Sequence, residues 1–363
     1  MGLLKNFSKE YSLFASIIAY FGISYFEHML IQSTVGNIAG FFILFAVIIY
    51  SAMSVAHHAE MLAEKFGEPY GTLILTMSAV IVEIVIIVIM MMHAENPTLA
   101  RDTIYSAIIL DINGLLGLAA IIGGIKYGEQ SYNIDSSNSY LSMLLVAIGI
   151  AMVIPHFIDP KFHDRYMTFN VILFILLYVT FTRIQLNSHK YFFEYEVKNE
   201  EISKEEGACD IHPEINGWYH AVNLIMAIIA IGILSEILSV FMGNTLQTFG
   251  MPLAIGAVGV AVISAAPELF TAVRAAIDNR MQTVINIALG ASLATILLTI
   301  PAVIVVTRYY GMELELSITP IQGMMLGLTL LVSIVNFNDG ETNVLEGFLH
   351  VILFVVFAFL LFV

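Results

Sequence analysis

Two glutamates stand in runs of residues that should exclude them. Glu83 lies in TMSAVIVEIVIIVIMMM and Glu268 in AVISAAPELFTAV. A charge at the centre of a bilayer costs at least about 2.5–3.5 kcal/mol on insertion scales, so ionisable side chains there face the protein interior and act. The plainer reading of one such residue is a protonated acid hydrogen-bonded to a neighbouring helix. Two of them at matching places suggest more. Two carboxylates held close in a low dielectric cannot both stay ionised without a counter-cation. The pair can hold a divalent ion as two anions, or two protons as neutral acids. Both loaded states are electrically balanced, and the empty, doubly charged site is costly. Alternating occupancy by a cation and protons is the chemistry this permits.

Oxygen ligands suit Ca²⁺ and Na⁺ rather than soft metals. Asn113, Ser292, Asn286 and Asp111 are candidates to complete the shell. Pro267 has no N–H, which leaves the carbonyl of Ile263 without its helical donor. Gly256, Gly259 and Gly290 permit close helix approach. Asp111 is open to three readings: a ligand, a second proton carrier, or a plain polar link between helices. His57 and His58, beside Glu60 and Glu64, are of the type that titrates near neutrality. They are candidates for pH sensing or proton entry, against the plainer reading of interfacial histidines. Glu27, His28 and His350 carry weaker signals, and Glu236 is placed to guide cations at an outer mouth.

These residues need a frame in lipid. Of 363 residues, 59% are hydrophobic and 12% charged, about half the charged share of a soluble domain. A spanning helix takes about 20 mostly apolar residues. Eleven stretches qualify: 11–30, 36–56, 70–93, 102–124, 139–155, 166–186, 218–241, 250–273, 281–307, 321–337 and 343–363. The expected fold is therefore an all-α membrane protein of about 11 transmembrane helices. The first stretch has no small-residue cleavage site and reads as a helix that stays. With the N-terminus inside, ten Lys and Arg fall on the cytoplasmic side and four on the other, which favours that orientation.

The two glutamate regions also match each other. Pro69 opens the third span and Pro252 the eighth. Each glutamate is followed by an Arg-containing turn (Arg101, Arg280) and by a span with polar residues on an otherwise apolar helix, Asp111 and Asn113 in one, Asn286, Ser292 and Thr295 in the other. Setting the first span aside leaves five plus five around one polar linker. Five is odd, so the halves enter the membrane from opposite sides, an inverted repeat whose sites lie at the repeat interface near the midplane. The expected division is a peripheral first helix at 1–35, a half with Glu83 at 36–186, an acidic cytoplasmic linker at 187–217, and a half with Glu268 at 218–363.

The stretches HHAEMLAEKFGEPYGTLILTMSAVIVEIVI, NPTLARDTIYSAIILDINGLLGLAAIIGG and PELFTAVRAAIDNRMQTVINIALGASLATILLTIPAV resemble the calcium/cation antiporter superfamily, and within it the ChaA-type proton antiporters of the Ca²⁺/H⁺ exchanger branch. LTLLVSIVNFNDGETNVLEGFLHVILF carries a fainter likeness. The resemblance implies that Glu83 and Glu268 are the paired acids of the two repeats, binding the ion and carrying protons. It also implies transported Ca²⁺, with Na⁺ or K⁺ as the alternative, and residence in a bacterial inner membrane. One departure stands out. Related exchangers carry Gly–Asn just ahead of each repeat glutamate, where this chain has Ala79–Val80 and Ser264–Ala265. The shell must be built otherwise, from Ser78, Ser264 or the following spans.

The other classes fare worse. No HExxH, P-loop or P-type phosphorylation motif occurs, so neither an intramembrane metalloprotease nor an ATP-driven pump is expected. A channel is the remaining class, which a titrating pair inside a repeat interface disfavours. No cofactor and no nucleic-acid partner is expected; the partners are cations, protons and the bilayer. The formal charge of −15 is largely the solvated acids of loops and linker. That linker reads either as a regulatory acidic helix or as a plain connector. Its Cys209 and His212 are two metal-type ligands, too few for a site.

Overall fold

The computed structural model describes residues 10–67, 70–94, 96–185 and 215–362. The acidic linker up to residue 214, with Cys209 and His212, and Pro69 lie outside them. Among the described residues the chain forms α1 (Tyr11–Gln32), α2 (Thr34–Phe66), α3 (Tyr70–Ala94), α4 (Leu99–Tyr127), α5 (Ile134–Phe157), α6 (Pro160–Arg183), α7 (Gly217–Phe249), α8 (Ala254–Ile277), α9 (Met281–Tyr310), α10 (Pro320–Asn336) and α11 (Val344–Leu360). The first nine are long and apolar enough to cross a membrane; α10 and α11 are apolar and 17 residues long.

Several helices outrun their apolar cores. The apolar run of α2 fades after residue 56, yet HHAEMLAEKF continues the helix on strong helix formers. It stops at Gly67, whose φ of 63° ends the ladder. Hydropathy marks the membrane-embedded part, and helix propensity carries the ends beyond it.

Burial separates centre from rim. In α4 and α9, 67% of the apolar window is buried, against 17% in α1 and α6. The outer helices turn bare apolar side chains outward, among them Ile18, Phe21, Ile172 and Leu176. In water such a surface would aggregate, and in lipid it is solvated. The two central helices each contain a π-helical turn, Leu110–Leu115 in α4 and Thr295–Thr299 in α9; α5 has a third at Gly149–Val153. Such turns concentrate at functional sites, because they re-aim the side chains that follow.

A small antiparallel ribbon was not anticipated. β1 (Glu129–Ser131), between α4 and α5, pairs with β2 (Glu341–Asn343), between α10 and α11. Buried Gln130 donates from Nε2 to Ala276 O at 3.0 Å and to Asn279 Oδ1 at 2.9 Å, fastening the end of α8 to the ribbon. At the other ends of α3 and α9, buried Arg101 opens α4. It donates from Nε to Asp102 at 2.9 Å and from Nη1 to Ser317 O at 3.0 Å. Asp102 also accepts from Gln322 at 2.9 Å and Thr98 at 3.0 Å, so this face is closed by polar bonds between α4 and the segment entering α10.

Candidate functional site

Helices α2, α3, α4, α5, α6, α8 and α9 enclose a cavity of about 550 Å³. Its inner end is lined by Glu83 from α3, Glu268 and Pro267 from α8, Asp111 from the π-turn of α4, and Thr295 from the π-turn of α9. From there it runs to Glu60, Gln185, Thr271 and Thr283, at the ends of α2, α6, α8 and α9 that share one face. The opposite face is the one closed around Arg101. The cavity therefore leads to one side.

Glu83 is 4% exposed and accepts from two hydroxyls of α9: Thr299 Oγ1 at 2.6 Å and Thr295 Oγ1 at 3.0 Å, both to Oε2. Glu268 sits one residue past Pro267 inside a helix that continues without a break. Its buried Oε2 has no hydrogen-bond partner among the described residues. Asp111 accepts from Ser292 Oγ at 3.0 Å. All three carboxylates line the same cavity. Three acids line this one space, with a free oxygen on Glu268, and carboxylate oxygens are donors of the kind that suit Ca²⁺ or Na⁺; among the described residues no three such groups stand close enough together to form a ready-made metal site.

The other residues singled out from sequence divide clearly. Asn286 lines the cavity and its Oδ1 accepts from Gln282 at 2.9 Å. Ser264 lines it too, though its hydroxyl bonds Ala261 O at 3.0 Å within its own helix, as Ser78 bonds Ile74 O at 2.7 Å. Ser292 reaches the site only through Asp111. Asn113 is not brought to the cavity. Its side chain points to the other side of α4, donating to Thr329 Oγ1 at 2.7 Å and meeting His350 Nδ1 at 2.9 Å. Two positions apart on a helix, Asp111 and Asn113 cannot share a face. Glu236 faces His93 at 3.5 Å and is 62% exposed, far from the carboxylates along α7.

Around Glu83 the hydroxyl contacts come from α9, through Thr295 and Thr299. Thr299 was missed because threonines on an apolar helix are common, and its aim depends on the π-turn. Replacing both threonines with valine keeps their shape and removes both donors to Glu83. A charge-assisted bond is worth about 1.5–3 kcal/mol, so cation affinity should fall at least about tenfold. Cation titration of the purified variant checks this, with Ser78→Ala as the control expected to bind normally.

The histidine pair splits as well. His57 is exposed, whereas His58 is 1% exposed. His58 Nδ1 meets His220 Nδ1 of α7 at 2.9 Å, and His58 Nε2 meets Glu10 Oε2 at 3.2 Å. Tyr219 also donates to Glu10. This cluster joins α1, α2 and α7 on the face to which the cavity leads.

Sequence comparison gives the class, a cation exchanger, and the family. The sodium/calcium exchanger protein family matches residues 36–187 and 219–363, and the chain belongs to it. It is 31% identical over 319 residues to the sodium-potassium/proton antiporter ChaA of Escherichia coli strain K12, covering 87% of this chain and 86% of that one. It is 28% identical over 238 residues to the Ca²⁺/H⁺ antiporter ChaA of Bacillus subtilis strain 168, covering 64% of this chain and 66% of that one. The crystal structure of the Ca²⁺/H⁺ antiporter YfkE superposes on 96% of this chain and 98% of its own with a TM-score of 0.74 at 22% identity, which establishes a common fold.

Proposed function

We propose that the chain is a secondary-active cation/proton antiporter that favours Ca²⁺, with Glu83 and Glu268 binding the ion or protons in turn by alternating access. The observation that carries this is the convergence of Glu83, Glu268 and Asp111, from three helices, on one cavity that leads to a single face. Thr295 joins them at its inner end, Ser292 supports Asp111, and Asn286 and Ser264 stand along the wall. A Na⁺ or K⁺/H⁺ antiporter on the same scaffold is the second reading, favoured by the sodium-potassium/proton relative. Everted vesicles containing the protein, acidified inside and then given Ca²⁺, Na⁺ or K⁺, test both. Ca²⁺ should collapse the pH gradient at the lowest concentration; collapse by Na⁺ or K⁺ alone would decide for the second reading.

The membrane is a bacterial inner membrane with the N-terminus inside, which makes the open face cytoplasmic. The halves 36–186 and 218–363 are inverted repeats. Three features support this: the paired 33-residue helices α2 and α7, the paired π-turns of α4 and α9, and the two separate family matches.

His58 and His220 form a pH-sensitive latch beside the cytoplasmic mouth. Two facing nitrogens 2.9 Å apart share one hydrogen, so the pair tolerates one added proton and not two. Glu10, 3.2 Å from His58 Nε2, favours the first proton, and the contact of two charged rings opposes the second. Below the ordinary histidine range of about 6.5, the contact breaks and the conformation it belongs to loses population. In a Cys209→Ser background, Thr271→Cys reports cavity access to a water-soluble thiol reagent. Labelling relative to a His220→Gln variant should match at alkaline pH and fall below it in acid; an equal ratio throughout would remove the latch.

A further inference from the structure

His350 belongs to no part of the cavity, yet it is 0% exposed, deep in α11. Burying an imidazole between apolar helices is costly unless something requires it. Its Nε2 has no partner among the described residues, so hydrogen bonding alone does not account for its presence. What it does touch is specific. Nδ1 lies 2.9 Å from Asn113 Oδ1, and Asn113 Nδ2 donates to Thr329 Oγ1 of α10 at 2.7 Å. Asn113 is itself 0% exposed and is thereby held by two helices at once.

The backbone is shaped to allow this. A Cβ on Gly117 would meet His350 Cβ at 2.9 Å, and one on Gly347 would meet Gly117 O at 2.7 Å. Glycine on both helices lets α4 and α11 approach until the imidazole reaches the amide. Phe337 stacks on the ring at 5.6 Å and 14°, fixing its plane. Asn113 sits inside the π-turn Leu110–Leu115, and the same turn carries Asp111 on its other side, toward Ser292 and the cavity. Such turns recur at functional sites, and a contact that holds one side of this one bears on the side chain at the other.

We infer that His350 is a positioning residue: through Asn113 it pins the π-turn of α4 and so aims Asp111 at the cation. The inference rests on the reading of Asp111 as part of the cation site. His350→Leu fills the space and removes the donor. His350→Asn restores a donor, since its Nδ2 stands where the imidazole Nδ1 stood.

Two readouts test this on the full-length protein. In the first, backbone hydrogen exchange across residues 110–115 is measured without any cation. It should quicken about tenfold or more in His350→Leu and return toward the wild-type rate in His350→Asn, as expected when an anchoring contact is lost. Unchanged exchange in His350→Leu overturns the inference whatever the ions do. In the second, Ca²⁺ and Na⁺ are titrated against thermal protection. His350→Leu should weaken Ca²⁺ protection about tenfold and Na⁺ protection less, because a misaimed carboxylate matters more to the doubly charged ion. Equal weakening for both ions, as a general packing defect would give, or failure of His350→Asn to restore Ca²⁺, also overturns it. Absence of protection by either ion in the wild type would instead contradict the antiporter reading, with the exchange readout still deciding the role of His350.

Discussion

Glu83→Gln and Glu268→Gln, each alone, should abolish the Ca²⁺-dependent collapse of a preformed pH gradient in everted vesicles, with a loss of at least about a hundredfold. Glutamine keeps the shape of the side chain and its capacity to accept from Thr295 and Thr299, so the packing around Glu83 survives. What disappears is one negative charge and one exchangeable proton. At an effective dielectric of about 20, a carboxylate about 5 Å from a divalent cation contributes roughly 7 kcal/mol of attraction before desolvation. Even after large offsets, that exceeds the roughly 2.7 kcal/mol needed for a hundredfold effect. The loss acts twice, since the variant can neither balance the ion nor load its full complement of protons. Each protein should still fold, and a retained melting temperature with no gradient collapse is the expected pair of observations. Full activity in the double glutamine variant would end the mechanism.

The second large effect concerns selectivity. Asp111→Asn preserves size and the contact with Ser292, and it removes a third ionisable carboxylate, the negative charge Asp111 can offer a bound cation. Attraction to a divalent ion is twice that to a monovalent ion at equal distance. The change should therefore weaken Ca²⁺ binding roughly tenfold to a hundredfold more than Na⁺ binding. Competition between the two ions in titrations of the wild type and the variant measures this directly. Equal weakening would move Asp111 from the ion shell to a proton-carrying or purely structural place.

Much of this was legible in the sequence because lipid simplifies the code. An acid inside an apolar run has few explanations, so Glu83 and Glu268 could be named before any coordinates, and the apolar runs marked the helices. The β-ribbon escaped notice because three-residue strands some 200 positions apart leave no local signal. Asp111 and Asn113 appeared as one polar patch; only the π-turn shows that one faces the cavity and the other faces α10 and α11. Thr299 was hidden for the same reason. The histidines were half legible: the spacing marked His57 and His58 together, while burial and the distant partners Glu10 and His220 distinguish His58. Local periodicity reads which residues are buried in lipid. Long-range pairing and helix defects decide what they touch.

The central claim is that cation and protons take turns on the same carboxylates. The most direct test is purified protein in sealed proteoliposomes, with Ca²⁺ entry and proton exit recorded together from indicators trapped inside. Proton exit should begin with Ca²⁺ entry, keep a fixed ratio to it, and vanish with it in Glu83→Gln and Glu268→Gln. Ca²⁺ entry that continues with no proton counterflow would contradict the account.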